Sequence, residues 1–151
     1  MTTFFRIIDR LLDICVSVVL ASMTAVVTVN VFCRFVLSFS LSWGDEVAQI
    51  LLVWMTFLGA AVAMRTGAHY AFDYLVRSIP DAPGRFFSGL SQLIVIAMTF
   101  LLAYWGIQVT IQISGWIMPA TGISRAWVYS ACPVGSVFML LYAVKNFVKS
   151  T

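Results

Sequence analysis

Residues 42–73, SWGDEVAQILLVWMTFLGAAVAMRTGAHYAFD, contain an apolar helix candidate with a marked boundary at each end. Between Glu46 and Arg65 there are 18 residues without a charge, close to the minimum that crosses a hydrocarbon core about 30 Å thick at about 1.5 Å per residue. Ser42 and Asp45 have the spacing of an N-terminal capping box, and carboxylates at this end suit the positive end of the helix dipole. The stretch therefore predicts a membrane-spanning helix flanked by ionisable groups.

The composition of the whole chain is that of an integral membrane protein. Of its 151 residues, 62% are hydrophobic and 10% are charged, and a soluble domain is far less apolar. The nine Lys and Arg residues are dispersed at segment ends, so the basic patch of a nucleic-acid-binding protein is absent. The three cysteines lie in apolar segments without CxxC spacing, which favours small buried hydrophobes over metal or redox chemistry. A disulfide between Cys33 and Cys132 is a minor alternative.

Four apolar segments predict an all-α integral membrane protein with four transmembrane helices and short interfacial helices, forming one domain over residues 1–151. The spans are expected at about 14–36, 46–65, 87–113 and 126–146. The N-terminal residues mix apolar and charged side chains, which predicts an amphipathic helix continuous with the first span. Residues 78–84 predict a turn, and Pro133 is expected to bend the fourth helix.

The distribution of basic residues predicts the orientation in the membrane. If the N-terminus is cytoplasmic, seven of the nine basic residues face the cytoplasm, as the positive-inside rule favours. These seven are Arg6, Arg10, Arg65, Arg77, Arg85, Lys145 and Lys149. Arg34 and Arg125 then face outward. Both termini and the 65–85 loop are therefore predicted to be cytoplasmic.

No ionisable residue is expected near the middle of any span, which limits the functions open to the chain. A protein that moves ions or protons alone usually carries such a residue, or broken helices around its substrate. Gln108 and Gln112 lie one turn apart in the third span, and interhelical hydrogen bonding is favoured for them over substrate coordination. His69 is the only histidine, which disfavours haem ligation. No catalytic or metal-ligating constellation can be assembled, so the chain is predicted not to be an enzyme.

Ionisable residues near the expected interfaces form two groups. The outer group contains Arg34, Asp45 and Glu46, at the outer ends of the first two helices, where a pair between Arg34 and Glu46 is geometrically plausible. The inner group contains Arg65, His69, Asp73 and Arg77. For both groups, a specific pairing or docking role and a simpler role as solvated flanking charges remain open.

A ridge of small residues marks the first predicted helix. Ser17, Ala21 and Ala25 recur at every fourth residue and would let another helix approach closely. Chance in a span rich in Ala, Ser and Val explains the pattern equally well.

Three sequence blocks carry a resemblance to a known family. They are NVFCRF at 30–35, SWGDEVAQILLVWMTFLGAAVAMRTGAHYAFDYL at 42–75, and MPATGISRAWVYSACPVG at 118–135. The middle block combines Ser-Trp, an acidic residue, an aliphatic run with Trp, Phe-Leu-Gly-Ala-Ala, a basic residue, and His followed by Asp. In order and spacing the blocks resemble the small membrane subunit of tripartite ATP-independent periplasmic (TRAP) transporters, the DctQ-like family.

The resemblance implies a function that the residue chemistry does not supply. It implies an accessory scaffold in the bacterial inner membrane that contacts lipids and binds a large multi-span permease subunit. That partner would carry the sodium and substrate sites, a periplasmic binding protein would capture an organic acid, and this chain would bind no cofactor. The residues that match the family pattern, with expected roles in folding, topology or subunit contact, are Trp43, Glu46, Arg65, Gly67, His69 and Asp73.

Two other classes are weighed against this prediction. An autonomous four-helix multidrug-type transporter, acting as a dimer, would be supported by an acidic residue inside the first span, and residues 14–33 contain none. A membrane anchor for a redox enzyme is disfavoured because histidine pairs are missing.

Overall fold

Long apolar helices account for nearly all of the regular structure. A computed structural model describes residues 2–66 and 81–150, with side chains described for 5–66 and 89–146. The helices are α1 (Thr2–Val36), α2 (Ser42–Thr66), α3 (Asp81–Gln112), α4 (Ala126–Tyr129) and α5 (Ala131–Ser150). Four candidate membrane spans lie within the described residues, at Phe5–Val36, Ser42–Thr66, Gly89–Gln112 and Ala126–Asn146. The predicted all-α, four-span class is confirmed.

Two of the helix starts differ from the sequence prediction. α3 begins at Asp81, so the second half of the predicted 78–84 turn is helical. Pro83 is compatible with this start, because the N–H groups of the first helical turn have no partner within the helix and proline therefore loses no hydrogen bond there. The predicted capping box is also absent, since Ser42 is the first helical residue of α2 and Asp45 instead accepts a hydrogen bond from Asn30.

The helices form an open row rather than a closed bundle. α2 packs between α1 and α5, and α3 packs against the far side of α5, which gives the order α1–α2–α5–α3. The short helix α4 contacts α2 and α3. An end of the row means an end along the helix axes, and an edge of the row means its first or last helix. Across the described residues, the backbones of α1 and α3 do not approach each other. These two helices therefore form the edges of the row.

The buried core lies where α1, α2 and α5 meet. Tyr142 is 1% exposed and Ala61 is fully buried, and both belong to one apolar cluster with Leu12 of α1. A Cβ atom on Gly135 would lie 2.6 Å from the Cβ of Phe57, so α2 and α5 can cross this closely only because residue 135 has no side chain. The remaining helix surface is largely apolar and exposed, as expected when lipid is the solvent.

Pro133 has a local effect on the fourth span. Its ring nitrogen cannot donate to the carbonyl of Tyr129, so one hydrogen bond of the helical ladder is missing there. Ser130, between α4 and α5, keeps helical backbone angles and its N–H donates to the Ala126 carbonyl at 2.8 Å, so Ala126–Asn146 runs on as one candidate span. The bend at Pro133 stays a prediction. The predicted ridge of Ser17, Ala21 and Ala25 lies on the exposed side of α1 and takes no part in the packing of the row.

Candidate functional site

The first of two polar clusters is centred on Glu46, in the first turns of α2. Its Oε1 accepts a hydrogen bond from the Ala120 N–H at 2.9 Å. Its Oε2 accepts two more from Thr121, from the N–H at 2.7 Å and from the hydroxyl at 2.7 Å. Hydrogen bonds to an ionised carboxylate are stronger than those between neutral groups. We call Glu46 and residues 118–122 the Glu46 cluster.

The loop between α3 and α4 is shaped to present these donors. Ile117 and Ser124 form an antiparallel bridge, and the Met118 N–H donates to the Ile123 carbonyl at 2.9 Å. The Gly122 N–H donates back to the Met118 carbonyl at 2.9 Å, and Gly122 has a φ of +72°, which favours glycine. This tight turn leaves the N–H groups of residues 120 and 121 free to bind the carboxylate.

Two further contacts join helices at this end of the row. The Asn30 side-chain amide donates to Asp45 Oδ1 at 2.6 Å and links α1 to α2. The Trp54 indole N–H donates to the Trp127 carbonyl at 3.0 Å and links α2 to α4. Together with the Glu46 cluster, these contacts fix the α3–α4 loop and the end of α1 on α2.

The second cluster lies at the opposite end of the row and is centred on Arg65. Its Nη2 donates to Asp13 Oδ1 at 2.6 Å, and its Nη1 donates to the Asp9 carbonyl at 3.0 Å. The Tyr142 hydroxyl donates to Asp9 Oδ1 at 2.5 Å. We call Asp9, Asp13, Arg65 and Tyr142 the Arg65 cluster. Because its members come from α1, α2 and α5, it holds three helices together.

Two peripheral contacts reinforce the Arg65 cluster. The Asn146 side-chain amide donates to the Met64 carbonyl at 3.1 Å, which gives a C-terminal carbonyl of α2 an additional partner. The Lys145 ammonium lies 4.2 Å from the centroid of the Phe5 ring, within the range of a cation–π interaction. Both contacts attach the end of α5 to its neighbours.

Only some of the predicted site residues take part in the two clusters. Glu46 and Arg65 each lie at the centre of a cluster. The pair between Arg34 and Glu46, one of two alternatives that the sequence left open, is not formed in the structure, because the 118–122 loop occupies the Glu46 carboxylate. Arg34 is exposed in the last turn of α1, and it forms no ion pair with the residues that the structure describes. Trp43 is half-exposed near the start of α2.

The other predicted site residues are Gly67, His69 and Asp73, and they lie outside the described residues.

Sequence reasoning missed most partners of the two clusters. Asp9 and Asp13 are one helical turn apart, and with the positive-inside orientation they lie on the same membrane side as Arg65. That spacing was a usable signal for the Arg65 cluster. The contact between Glu46 and Thr121 has a weaker signal, since a glycine after a threonine predicts a turn but not its ligand.

The chemistry of the two clusters is structural. Their donors and acceptors bind one another across helices, and their charged members lie at the two ends of the row. Within the described ranges, no group of three His, Cys, Asp or Glu side chains is arranged to hold a metal ion. The three cysteines are free thiols, so Cys33 and Cys132 are not paired. What the arrangement can do is hold an open row of helices in a defined shape.

Comparisons with known proteins agree with this architecture. The family described as tripartite ATP-independent periplasmic transporters, DctQ component, matches residues 23–151. The chain is 32% identical over 111 residues to the sialic acid TRAP transporter permease protein SiaT of Haemophilus influenzae. The aligned segment covers 74% of this chain and 18% of that protein. The chain thus corresponds to less than a fifth of that relative's length.

Two relatives closer in size are small permease proteins. The chain is 27% identical over 150 residues to the ectoine TRAP transporter small permease protein TeaB of Halomonas elongata, covering 95% of this chain and 78% of that protein. It is 26% identical over 166 residues to the C4-dicarboxylate TRAP transporter small permease protein DctQ of Rhodobacter capsulatus, covering 89% and 73%.

The family and the four apolar spans identify a multi-pass protein of the bacterial inner membrane, and its relatives are transport components rather than enzymes. The chain belongs to the family of DctQ components of tripartite ATP-independent periplasmic transporters.

Proposed function

We propose that the chain is the small accessory subunit of a sodium-coupled TRAP-type transporter and acts as a membrane scaffold for a large multi-span permease subunit. In this proposal the large subunit carries the sodium and substrate sites. A periplasmic binding protein captures an organic acid and delivers it to the membrane subunits. The small subunit itself binds no cofactor.

One observation carries the proposal: the strong polar contacts of the described residues tie the chain's own helices together at the two ends of the row. Glu46 and Arg65 are both engaged within the chain, and the middle of each span lacks an ionisable group. A transporter that works alone needs such a group or an interrupted helix around its substrate. A row of helices held together by these contacts, with exposed apolar surfaces, is suited to supporting another membrane protein.

The similarity to SiaT supports a larger partner. The matched segment covers 18% of that permease, so more than four fifths of it has no counterpart in the alignment with this chain. We infer that here a separate large subunit supplies the corresponding part. The names of the relatives include sialic acid and C4-dicarboxylate, which supports an organic acid as the class of solute.

The orientation is part of the proposal. The Arg65 cluster joins the N-terminal part of α1, the end of α2 and the C-terminal part of α5 at one end of the row. Most of the basic residues within the described ranges belong to helix segments at this end, and the positive-inside rule then favours a cytoplasmic location for both termini. The Glu46 cluster would face the periplasm, where a binding protein docks.

The first test is to purify the tagged chain from its native membrane in mild detergent and to identify the co-purifying proteins by mass spectrometry. We expect a large hydrophobic protein with about a dozen spans in stoichiometric amount. Recovery of the chain alone as a homodimer would contradict the scaffold function and favour an autonomous small transporter.

The second test addresses coupling and solute. The purified membrane complex is reconstituted in liposomes with its binding protein, and uptake of labelled sialic acid and C4-dicarboxylates is measured with and without an inward sodium gradient. We expect uptake that requires sodium, the binding protein and both membrane subunits. Uptake that is equal without the sodium gradient would contradict sodium coupling.

A further inference from the structure

The free edge of α3 carries polar side chains that the fold leaves unused. Gly106 marks the side that faces α5, because a Cβ atom there would lie 2.9 Å from the Cys132 sulfur. At about 100° per residue, Leu101, Tyr104 and Gln108 lie about 140–160° around the helix from Gly106. These three residues are exposed, and we call them the α3 edge.

Two of these side chains lie within the span without a partner. Gln108 is one turn, or about 6 Å, inside the end of α3 at Gln112, and Tyr104 is about 12 Å inside it. Neither the Gln108 amide nor the Tyr104 hydroxyl has a hydrogen-bond partner within the described part of the chain. In hydrocarbon an unpaired amide or hydroxyl costs free energy, because no water is present to replace the missing bond.

The opposite edge of the row differs in this respect. Exposed polar groups in the uncharged part of α1 are mostly hydroxyls, which can bond to a carbonyl of the preceding turn. Ser17 does so to Asp13 at 2.7 Å, and Thr24 does so to Leu20 at 2.9 Å, whereas the exposed Thr28 makes no such bond among the described residues. A hydroxyl such as that of Thr28 can form this bond by rotating its side chain, so the α1 edge can face lipid at lower cost than an edge with a glutamine amide. A glutamine amide, with two donors and an acceptor, is not satisfied in this way.

We propose that the α3 edge binds a transmembrane helix of the large permease subunit and that this helix presents hydrogen-bonding groups to Gln108 and Tyr104. The inference rests on the proposed function, which supplies the large partner. The similarity to one segment of a much longer permease favours such a partner over a second copy of this chain. Leu101 would pack against the same helix through apolar contact.

Photo-crosslinking locates the contact directly. A photoreactive amino acid is placed at Leu101 of the tagged chain, and the matched control is Val18 on α1, which is also an exposed aliphatic residue in the middle of its helix. Irradiation in native membranes should link position 101, and not position 18, to the large subunit. A product with a second copy of the chain, or linkage from position 18 alone, would overturn the assignment.

A substitution tests the hydrogen bonds. Gln108→Leu should lower recovery of the large subunit roughly threefold to tenfold, the range expected for one interhelical hydrogen bond in a membrane. Gln49→Leu is the matched control, since Gln49 is also an exposed amide without a hydrogen-bond partner among the described residues, but it lies on α2 and not on the α3 edge. The comparison therefore separates the position of the amide from the mere presence of an unpaired one. Equal recovery with Gln108→Leu and wild type, or an equal loss with Gln49→Leu, would refute the role of Gln108.

The two proposals can fail separately. If the wild-type chain recovers no large subunit, the proposed function fails. If it recovers the subunit but position 101 does not crosslink to it, the function stands and the assignment of the α3 edge is wrong.

Discussion

The carboxylate of Glu46 accepts hydrogen bonds from both the backbone N–H and the hydroxyl of Thr121, each at 2.7 Å, across 75 residues of sequence. The Ala120 N–H adds a third bond to the same carboxylate. One charged side chain on α2 thus holds the turn of the α3–α4 loop. The stability of this loop should therefore depend on the charge of residue 46.

Replacing Glu46 with Gln should loosen the α3–α4 loop. The amide has nearly the same shape, but it exchanges an acceptor oxygen for an NH₂ group that would face backbone donors. We expect a lower Tm in detergent and faster tryptic cleavage after Arg125, which follows the loop. Thermal unfolding and limited proteolysis measure the two effects.

Arg34→Gln is the matched control for Glu46→Gln. It also removes one charge near the junction of α1 and α2, but Arg34 makes no ion pair within the described residues. Its Tm and its cleavage rate at Arg125 should equal those of the wild type. An equal loss in both variants would mean that removing any charge near this junction, and not the loss of the loop contact, lowers the stability.

Arg65 should not be replaceable by lysine. Its guanidinium binds the Asp13 carboxylate and the Asp9 carbonyl with two different nitrogens, and a lysine ammonium cannot reproduce this fork. We expect Arg65→Lys to lower the Tm. Asp13→Asn should cost less in the Arg65→Lys background than in the wild type, because contacting residues are not additive. Additive losses in this double-mutant cycle would contradict a direct Arg65–Asp13 interaction.

The helices could be predicted from the sequence, but the contacts between them could not. A span in lipid must be apolar around its whole circumference for about 20 residues, which is a strong local signal. Because the apolar pattern is uniform around each helix, it does not show which face packs against a neighbour. The order α1–α2–α5–α3 could therefore not be predicted from the sequence. For Glu46 the sequence leaves two alternatives open, a pair with Arg34 or a solvated flanking charge, whereas its partner in the structure, Thr121, lies in a distant loop.

The Arg65 cluster differs in membership from the inner ionisable group that the sequence predicts. Of that group the structure describes only Arg65, because His69, Asp73 and Arg77 lie outside the described residues. The observed partners come from α1 and α5 instead. The small residues that allow close helix packing were also not identified from the sequence. Two helices approach closely at Gly135, whereas the ridge at Ser17, Ala21 and Ala25 is exposed.

Removing the Tyr142 hydroxyl should destabilise the packing of α1 on α5. Tyr142 is 1% exposed and donates to Asp9 Oδ1 at 2.5 Å, so Tyr142→Phe removes a bond without opening a cavity. We expect a loss of about 1.5–3 kcal/mol in the free energy of unfolding, the range for a hydrogen bond to a charged group. Tyr129→Phe is the control, because Tyr129 is exposed. Equal stability of the two variants would show that the Asp9 bond contributes nothing.

Adding a methyl group at Gly135 should force α2 and α5 apart. The new Cβ atom would lie 2.6 Å from the Phe57 Cβ and 3.1 Å from the Phe57 backbone, and neither can rotate away. We expect Gly135→Ala to cost about 1–3 kcal/mol, as overpacking of a core does.

Gly59→Ala on α2 is the matched control, since nothing lies within 4 Å of its Cβ position. In that variant the higher helix propensity of alanine should leave the Tm equal or slightly raised. Both variants are compared by thermal unfolding in the same detergent and by recovery of the large subunit. A Gly135→Ala protein with wild-type Tm would mean that α2 and α5 do not cross as closely as described, because a contact this short cannot accommodate a Cβ atom without separating the helices.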